Sequence, residues 1–273
     1  MARTTSGGEP LLLAVDLSNT GIKLGLYPRD GKEKDILRAR WRVATVRDKT
    51  TDEYAALLMT LCAQAGLRAE DISDVIIASV VPPLTPVFQA AAEQYLKREA
   101  LVVSHEMDLG IKLLVDNPWE TGADRMISAL ATHRLYGGPA IVIQFGTATS
   151  FDCVSSDGDF LGGAIAPGLG ISAEALARAA SRLYQVELIP PPHALGKNTI
   201  HSMQSGIIYG HVGLVEGLIA RLREELPGPR PVKVIAHGGL AKVMAGVCPS
   251  IETVDTNLIL RGLRIAYDRV RAA

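Results

Sequence analysis

Residues 141–152 read IVIQFGTATSFD, from Ile141 to Asp152. Ile141–Ile143 is a short apolar run, the pattern of a buried strand. Small residues follow: Gly146, Thr147, Ala148 and Thr149. The chain then returns as the extended apolar stretch Phe151-Asp152-Cys153-Val154. A strand that breaks into Gly-Thr-x-Thr and comes back presents backbone N–H groups and hydroxyls together. Such a concavity suits an anion, most often phosphate. Glycine permits the close approach because it has no Cβ. Taken alone, the stretch is better read as a hairpin and nothing more.

The chain carries a near copy of this stretch close to its N-terminus, LLLAVDLSNTGIKLGLY. Leu11–Val15 is a second apolar run, leading into Asp16-Leu17-Ser18-Asn19-Thr20, and Ile22–Tyr27 is the return strand. Aligning the turns sets Asp16 opposite Gln144, Ser18 opposite Gly146 and Asn19 opposite Thr147. Two such units half a chain apart predict duplicated α/β domains facing across a cleft, with a nucleotide triphosphate held from both sides.

Further segments fall in a fixed order along the chain: DLSNT (16–20), GADR (122–125), QFGTATSFD (144–152), GGAIAPG (162–168), GKNT (196–199) and HGG (237–239). In this order they resemble the acetate and sugar kinase, heat-shock-70 and actin superfamily. Within it the chain is similar to type III pantothenate kinase, whose segments read D-x-G-N-T, G-x-D-R, D-F-G-T-A-T-T-x-D, G-G-A-I-x-P-G, G-K-N-T and G-G. The likeness covers almost the whole chain. Two departures matter: Ser18 stands where the family has glycine, and Gln144 where it has aspartate.

The resemblance implies duplicated ribonuclease-H-like (actin-like ATPase) domains and transfer of the ATP γ-phosphate to the primary hydroxyl of pantothenate, opening coenzyme A synthesis. It assigns both turns to ATP with Mg²⁺. Asp16 would hold the metal, a hard cation that takes carboxylate oxygen. Ser18, Asn19 and Thr20 would line the phosphates, and Lys23 would add a positive charge. Gly146 and Thr147 would complete the cradle, and Gly238 would lie near the adenosine. Gly122, Ala123, Asp124 and Arg125 would bind pantothenate, with Asp124 the general base and the planar fork of Arg125 on the substrate carboxylate. Thr199 would reach the substrate in a pocket shared between the subunits of a homodimer. Position 144 is where the family's aspartate helps hold an activating monovalent cation, K⁺ or NH₄⁺; glutamine keeps an oxygen and loses the charge. Read singly, these residues have plainer roles too: Asp16 as a strand-end carboxylate, Asp124 as a helix cap, Arg125 as half of a surface ion pair.

Two other functions compete with this one. Ser18 and Gln144 are consistent with a weakened or inactive paralogue that binds or regulates. A kinase for a different small molecule is the third reading, against which the unbroken order from GADR to GKNT speaks.

At 273 residues the chain has room for about two domains. An apolar share of 48% supplies their cores, and 28 basic against 29 acidic residues leave a formal charge of −1. That balance offers no basic footprint for nucleic acid. No stretch nears the roughly 20 apolar residues of a membrane span. Cys62, Cys153 and Cys248 are isolated and odd in number, which argues for buried thiols in a reducing cytoplasm and not for a disulfide framework. The six histidines show no zinc-ligand spacing.

The expected organisation is a flexible tail (1–10), an N-terminal domain (11–120), a C-terminal domain (121–255) and a closing helix (256–273). Thr50 and Glu53 form a capping-box pattern ahead of a helix with apolar residues at helical spacing. Ser172 is expected to cap the helix holding Leu176. The segment from about 202 to 226 has helical period, with Gly206, Gly210, Gly213 and Gly217 on one face. Each glycine costs about 1 kcal/mol against alanine in a helix interior, so the stripe should serve close approach, either to the helix's own sheet or to another subunit.

Overall fold

The computed structural model describes residues 9–272. The tail expected over 1–10 therefore lies mostly outside the described residues. The chain divides into two compact units. The first holds the chain up to Gly110, Trp119–Ile127 and the stretch from Ile259 onward; the second holds Ile111–Pro118 and Ser128–Leu258.

The first unit is built on five strands: β1 (Leu11–Leu17), β2 (Gly21–Pro28), β3 (Ala39–Ala44), β4 (Ile72–Ser79) and β5 (Ala100–Val102). Their order in the sheet is β3-β2-β1-β4-β5. β1 pairs antiparallel with β2 and parallel with β4, so it is bonded on both sides along its length. That double pairing carries the strand two residues past the expected Val15 and takes Asp16 into it, opposite Lys23 on β2 and Ala78 on β4. Helix α1 (Thr51–Gln64) starts at the expected capping box: Glu53 N–H donates to Thr50 Oγ1, and Thr50 N–H donates to the Glu53 carboxylate. Its Tyr54 and Cys62 join Leu13, Val15 and Ile77 in the core of the unit. Helix α2 (Thr85–Ala91) runs on into a wider turn and stops at Lys97, which adopts φ 59°.

Chain order gives α3 (Ala123–Tyr136) next, and then the second sheet: β6 (Ala140–Phe145), β7 (Ala148–Val154), β8 (Phe160–Pro167), β9 (Lys233–Gly238) and β10 (Thr253–Val254). Read from β8, the order is β8-β7-β6-β9-β10, with β6 antiparallel to β7 and parallel to β9. This repeats the first sheet strand for strand. The expected duplication of ribonuclease-H-like domains is therefore present in topology. Asp16 and Gln144 each stand one residue before the end of the central strand.

Helices α4 (Leu169–Ala179) and α5 (Thr199–Glu225) follow β8, and α6 (Ala241–Ala245) follows β9. Ile141, Ile143, Phe145 and Phe151 pack on Ile208, Val215 and Ile219 of α5 and on Met244 of α6. The opposite face of the sheet packs Val142, Val154 and Ile235 on Ala129 and Ala131. Each such fully buried side chain stabilises by about 1.5–3 kcal/mol, so both faces of this sheet are anchored.

Helix α7 (Leu258–Ala272) closes the chain. Leu260 lies over Gly25, where a Cβ would come within 3.1 Å of it. Arg264, 2% exposed, donates to the carbonyls of Pro28 and Arg29 at 3.0 and 2.9 Å and pairs with Asp268. These bonds fasten α7 to the end of β2 and satisfy the buried guanidinium.

The glycine stripe does not meet the sheet. A Cβ at Gly206, Gly210 or Gly213 would have nothing within 4 Å, and these three positions are exposed. The sheet-packing reading of the stripe is thereby set aside.

Candidate active site

In the first unit the turn between β1 and β2 is Ser18-Asn19-Thr20. Asp16 stands just before it, 1% exposed. Its Oδ1 accepts from the Ser18 hydroxyl and its Oδ2 from the Lys23 ammonium, both at 2.8 Å. A buried carboxylate is costly unless paired, and the register opposite Lys23 supplies the partner. Ser18 is therefore engaged at both ends, with its hydroxyl on Asp16 and its carbonyl accepting from Thr45 Oγ1. Arg47 donates to Asn19 Oδ1 at 3.1 Å. The Arg42 guanidinium is so close to Gly21 that a Cβ there would lie 2.8 Å from its Nε. Sequence reasoning missed Arg42 and Arg47; one reaches the turn from β3 and the other from just beyond its end, contacts no local pattern announces.

The same unit holds the GADR segment. Gly122 precedes α3, and a Cβ on it would stand 2.7 Å from Asp124 Oδ1. That oxygen accepts from the Arg125 N–H at 2.9 Å, while the N–H groups of Arg125 and Met126 also reach Gly122 O. Glycine at 122 thus leaves room for the carboxylate, and the first turn of α3 orients it. Ala123 is buried; Asp124 and Arg125 are partly exposed.

In the second unit the loop between β6 and β7 is reduced to Gly146-Thr147, closed by the pair Phe145–Thr149. Two glycines press on it. Gly238, at φ 103°, pairs with Phe145, and a Cβ there would sit 2.4 Å from Phe145 O. Gly168 donates its N–H to Thr147 O at 3.1 Å, and a Cβ on it would fall 2.4 Å from both Gly146 O and Thr147 O. Gly168 is also the N-cap of α4, with no side-chain cap. The expected cap, Ser172, lies inside the helix, where its N–H donates to Gly168 O. The helix starts early because glycine lets it begin against the turn. Amides of a helix N-terminus favour anions, and those of α4 start beside this turn. The signal in the sequence was Pro167-Gly168 between strand and helix.

Gln144 lies on β6, opposite Ser150 and His237. Its Oε1 is buried and has no hydrogen-bond partner. An orphaned amide oxygen is costly in isolation and is a natural ligand for a cation. GKNT folds onto the start of α5: a Cβ at Gly196 would meet Ser202 N at 2.4 Å, and Asn198 caps the helix by accepting from His201 N–H at 2.8 Å. Thr199 is the first helical residue and is exposed. Together with Ser172, Gly206 and His211 it lines a cavity of about 880 Å³ between α4 and α5.

Residues 12–221 match the family model of type III pantothenate kinase. The chain belongs to the type III pantothenate kinase family. A relative of that name from Roseiflexus sp. is 48% identical over 262 residues, covering 96% of this chain and 100% of its own length. Another from Moorella thermoacetica is 46% identical over 259 residues, covering 95% and 99%. Solved structures share the fold at low identity. A conserved putative Baf family transcriptional activator from Campylobacter jejuni superposes with a TM-score of 0.58 at 15% identity, covering 96% of this chain and 100% of that one. An inorganic polyphosphate/ATP-glucomannokinase from Arthrobacter gives 0.52 at 18%, covering 96% and 99%. These likenesses place the chain in the actin-like ATPase fold that the doubled sheet topology describes.

Proposed function

We infer that this protein is an ATP-dependent pantothenate kinase, transferring the γ-phosphoryl group to the primary hydroxyl of pantothenate. The observation that carries the reading is the GADR segment of a chain whose relatives, matched end to end, bear that name: a glycine whose Cβ would collide with Asp124 precedes a helix start that orients the carboxylate. The reading is of a hydroxyl oxygen attacking the γ-phosphorus as the bond to the β-phosphate oxygen breaks and ADP leaves. Asp124 accepts the hydroxyl proton. Because phosphoryl transfer passes through a loose transition state, the proton moves late and a carboxylate suffices as base. Arg125 receives the carboxylate of the substrate.

The turn holding Ser18, Asn19 and Thr20 and the turn of Gly146 and Thr147 take the ATP phosphates in this reading, with Gly238 toward the adenosine. Mg²⁺ arriving with ATP would be held on the Asp16 side and would supply charge neutralisation. Mg²⁺ keeps most of its shell as water and phosphate, so a single carboxylate, that of Asp16, fits it. Lys23, on that carboxylate, balances its charge. The orphaned Oε1 of Gln144 fits a monovalent cation held by neutral oxygen. The weakened-paralogue alternative gains nothing from Ser18, whose hydroxyl is bonded into the site.

A homodimer with a shared pocket belongs to the same reading. Its support is the solvent-facing glycine stripe, together with several exposed apolar side chains in the second unit. Ile165 (66%), Tyr184 (51%), Leu195 (77%) and Ile200 (42%) are among them. The protein is assigned to the cytoplasm, where unbridged thiols persist. All three cysteines are buried, and burial pushes the thiols of Cys62 and Cys248 up to about 11. No described helix is long and apolar enough to cross a membrane.

The test is a coupled assay of ADP release with pantothenate, on wild type and Asp124→Asn. Wild type should turn over, and the variant should fold and lose activity by at least the 10²–10⁴-fold that a general base contributes. A folded variant keeping most of the rate removes Asp124 from the role of base.

A further inference from the structure

His211 has no part in the chemistry above, yet it is buried beside the second turn. We propose that His211 is the positioning residue that holds Thr149, and through it the Gly146–Thr147 turn, in the geometry that binds nucleotide. The proposal rests on the reading of that turn as part of the phosphate cradle.

The His211 Nε2 lies 2.9 Å from Thr149 Oγ1. The two residues are 7% and 0% exposed, so water cannot replace the bond. The His211 ring also stands 6.2 Å from the ring of Phe145. Phe145 and Thr149 are the register pair that closes the turn. One side chain from α5 therefore touches both stems of the loop. A neutral imidazole carries one donor and one acceptor nitrogen, and a hydroxyl can play either part, so the bond forms in either tautomer. Burial lowers the pKa of the ring and keeps it in that neutral form.

Gly168 and Gly238 restrain the turn from other directions, but through backbone contact alone. The bond from α5 is a side-chain restraint, and His211 also forms part of the wall of the cavity that Lys197, Asn198 and Thr199 line. The residue thus joins the helix that carries the GKNT segment to the stem of the nucleotide turn.

The test compares wild type with His211→Phe, His211→Gln, Thr149→Val and the double variant His211→Phe/Thr149→Val. Phenylalanine keeps the ring volume and removes the bond; glutamine keeps a hydrogen-bonding group on a long side chain. Binding of a non-hydrolysable ATP analogue with Mg²⁺ is measured by calorimetry, together with the KM for ATP, the KM for pantothenate and the thermal midpoint. Contacting residues couple by amounts worth up to about tenfold or more in an equilibrium constant. The expected result is an analogue Kd and ATP KM raised on the order of tenfold in His211→Phe and in Thr149→Val. The double variant should be no worse than either single one, and His211→Gln should recover most of the affinity. An unchanged analogue Kd in His211→Phe, even with a lowered thermal midpoint, overturns the proposal and leaves His211 a packing residue. Additive effects in the double variant overturn it too. Wild-type protein that binds the analogue without phosphorylating pantothenate overturns the kinase reading alone, and the Kd comparison then decides His211 by itself.

Discussion

Replacing Gly168 with alanine probes, by steric means alone, the Gly146–Thr147 turn proposed to hold nucleotide. Gly168 has φ −72° and ψ 160°, extended backbone that alanine adopts freely. No conformational penalty is therefore added, and the smaller unfolded ensemble contributes about 0.4–1 kcal/mol of stability. Against this stands the new methyl carbon, 2.4 Å from Gly146 O and from Thr147 O. Ordinary contact begins near 3.4 Å, so the turn or the start of α4 must give by about 1 Å. Overpacking of this kind costs about 1–3 kcal/mol, for a net loss of about 1–2 kcal/mol. The functional effect should be larger. Displacing a positioning group by about 1 Å can cost on the order of 10²-fold in rate, near 2.7 kcal/mol of transition-state stabilisation. The expected outcome is a folded protein with kcat/KM for ATP down about a hundredfold, and with pantothenate binding little changed. The measurements are steady-state ADP release at varied ATP and direct pantothenate binding by calorimetry. If the folded variant keeps kcat/KM for ATP within about threefold of wild type, then Gly168 does not set the turn, or the turn does not hold the nucleotide.

Three further outcomes are expected. Gln144→Asp should lower the potassium concentration for half-maximal rate, because a charge a few Å from the ion is worth on the order of 1–4 kcal/mol at intermediate dielectric; equal half-saturation in both proteins places the cation elsewhere. Gly210→Leu should leave each chain folded, since nothing lies within 4 Å of its Cβ position, and should shift sedimentation from dimer toward monomer at micromolar concentration; an unchanged dimer moves the interface off α5. His211, whose pKa burial lowers from 6.5, binds fewer protons folded than unfolded, so its contribution is intact above about pH 6.5 and lost as pH falls below it. Denaturation midpoints in that acid range should fall less steeply in His211→Gln than in wild type, and parallel slopes would show that His211 does not titrate on unfolding.

Much of this protein is written in short-range pattern. The two strand–turn–strand units, the capping box at Thr50 and Glu53, and the glycine of GADR all lie within a few residues of what they determine, and hydrogen-bond geometry and side-chain volume over such spans leave few alternatives. The order of the motifs along the chain was enough to place the family. Longer-range matters were decided by tertiary structure. Asp16 stood out in the sequence as a carboxylate at a strand end, but its burial inside β1 follows from pairing with β4, about sixty positions away. Ser18 read as a departure from pattern until its hydroxyl was found on Asp16. Ser172 matched a helix cap by residue type, yet Gly168 opens the helix because the turn at Thr147 leaves no room for a side chain there. Arg47 at Asn19, and His211 at Thr149, are contacts between segments whose own sequences carry no mark of each other. The stripe of glycines on α5 was visible as a pattern, but only packing decided which side of the helix met the sheet. The sequence sets which groups can bond or pack; the chain's closure in three dimensions chooses among partners that local pattern leaves equal.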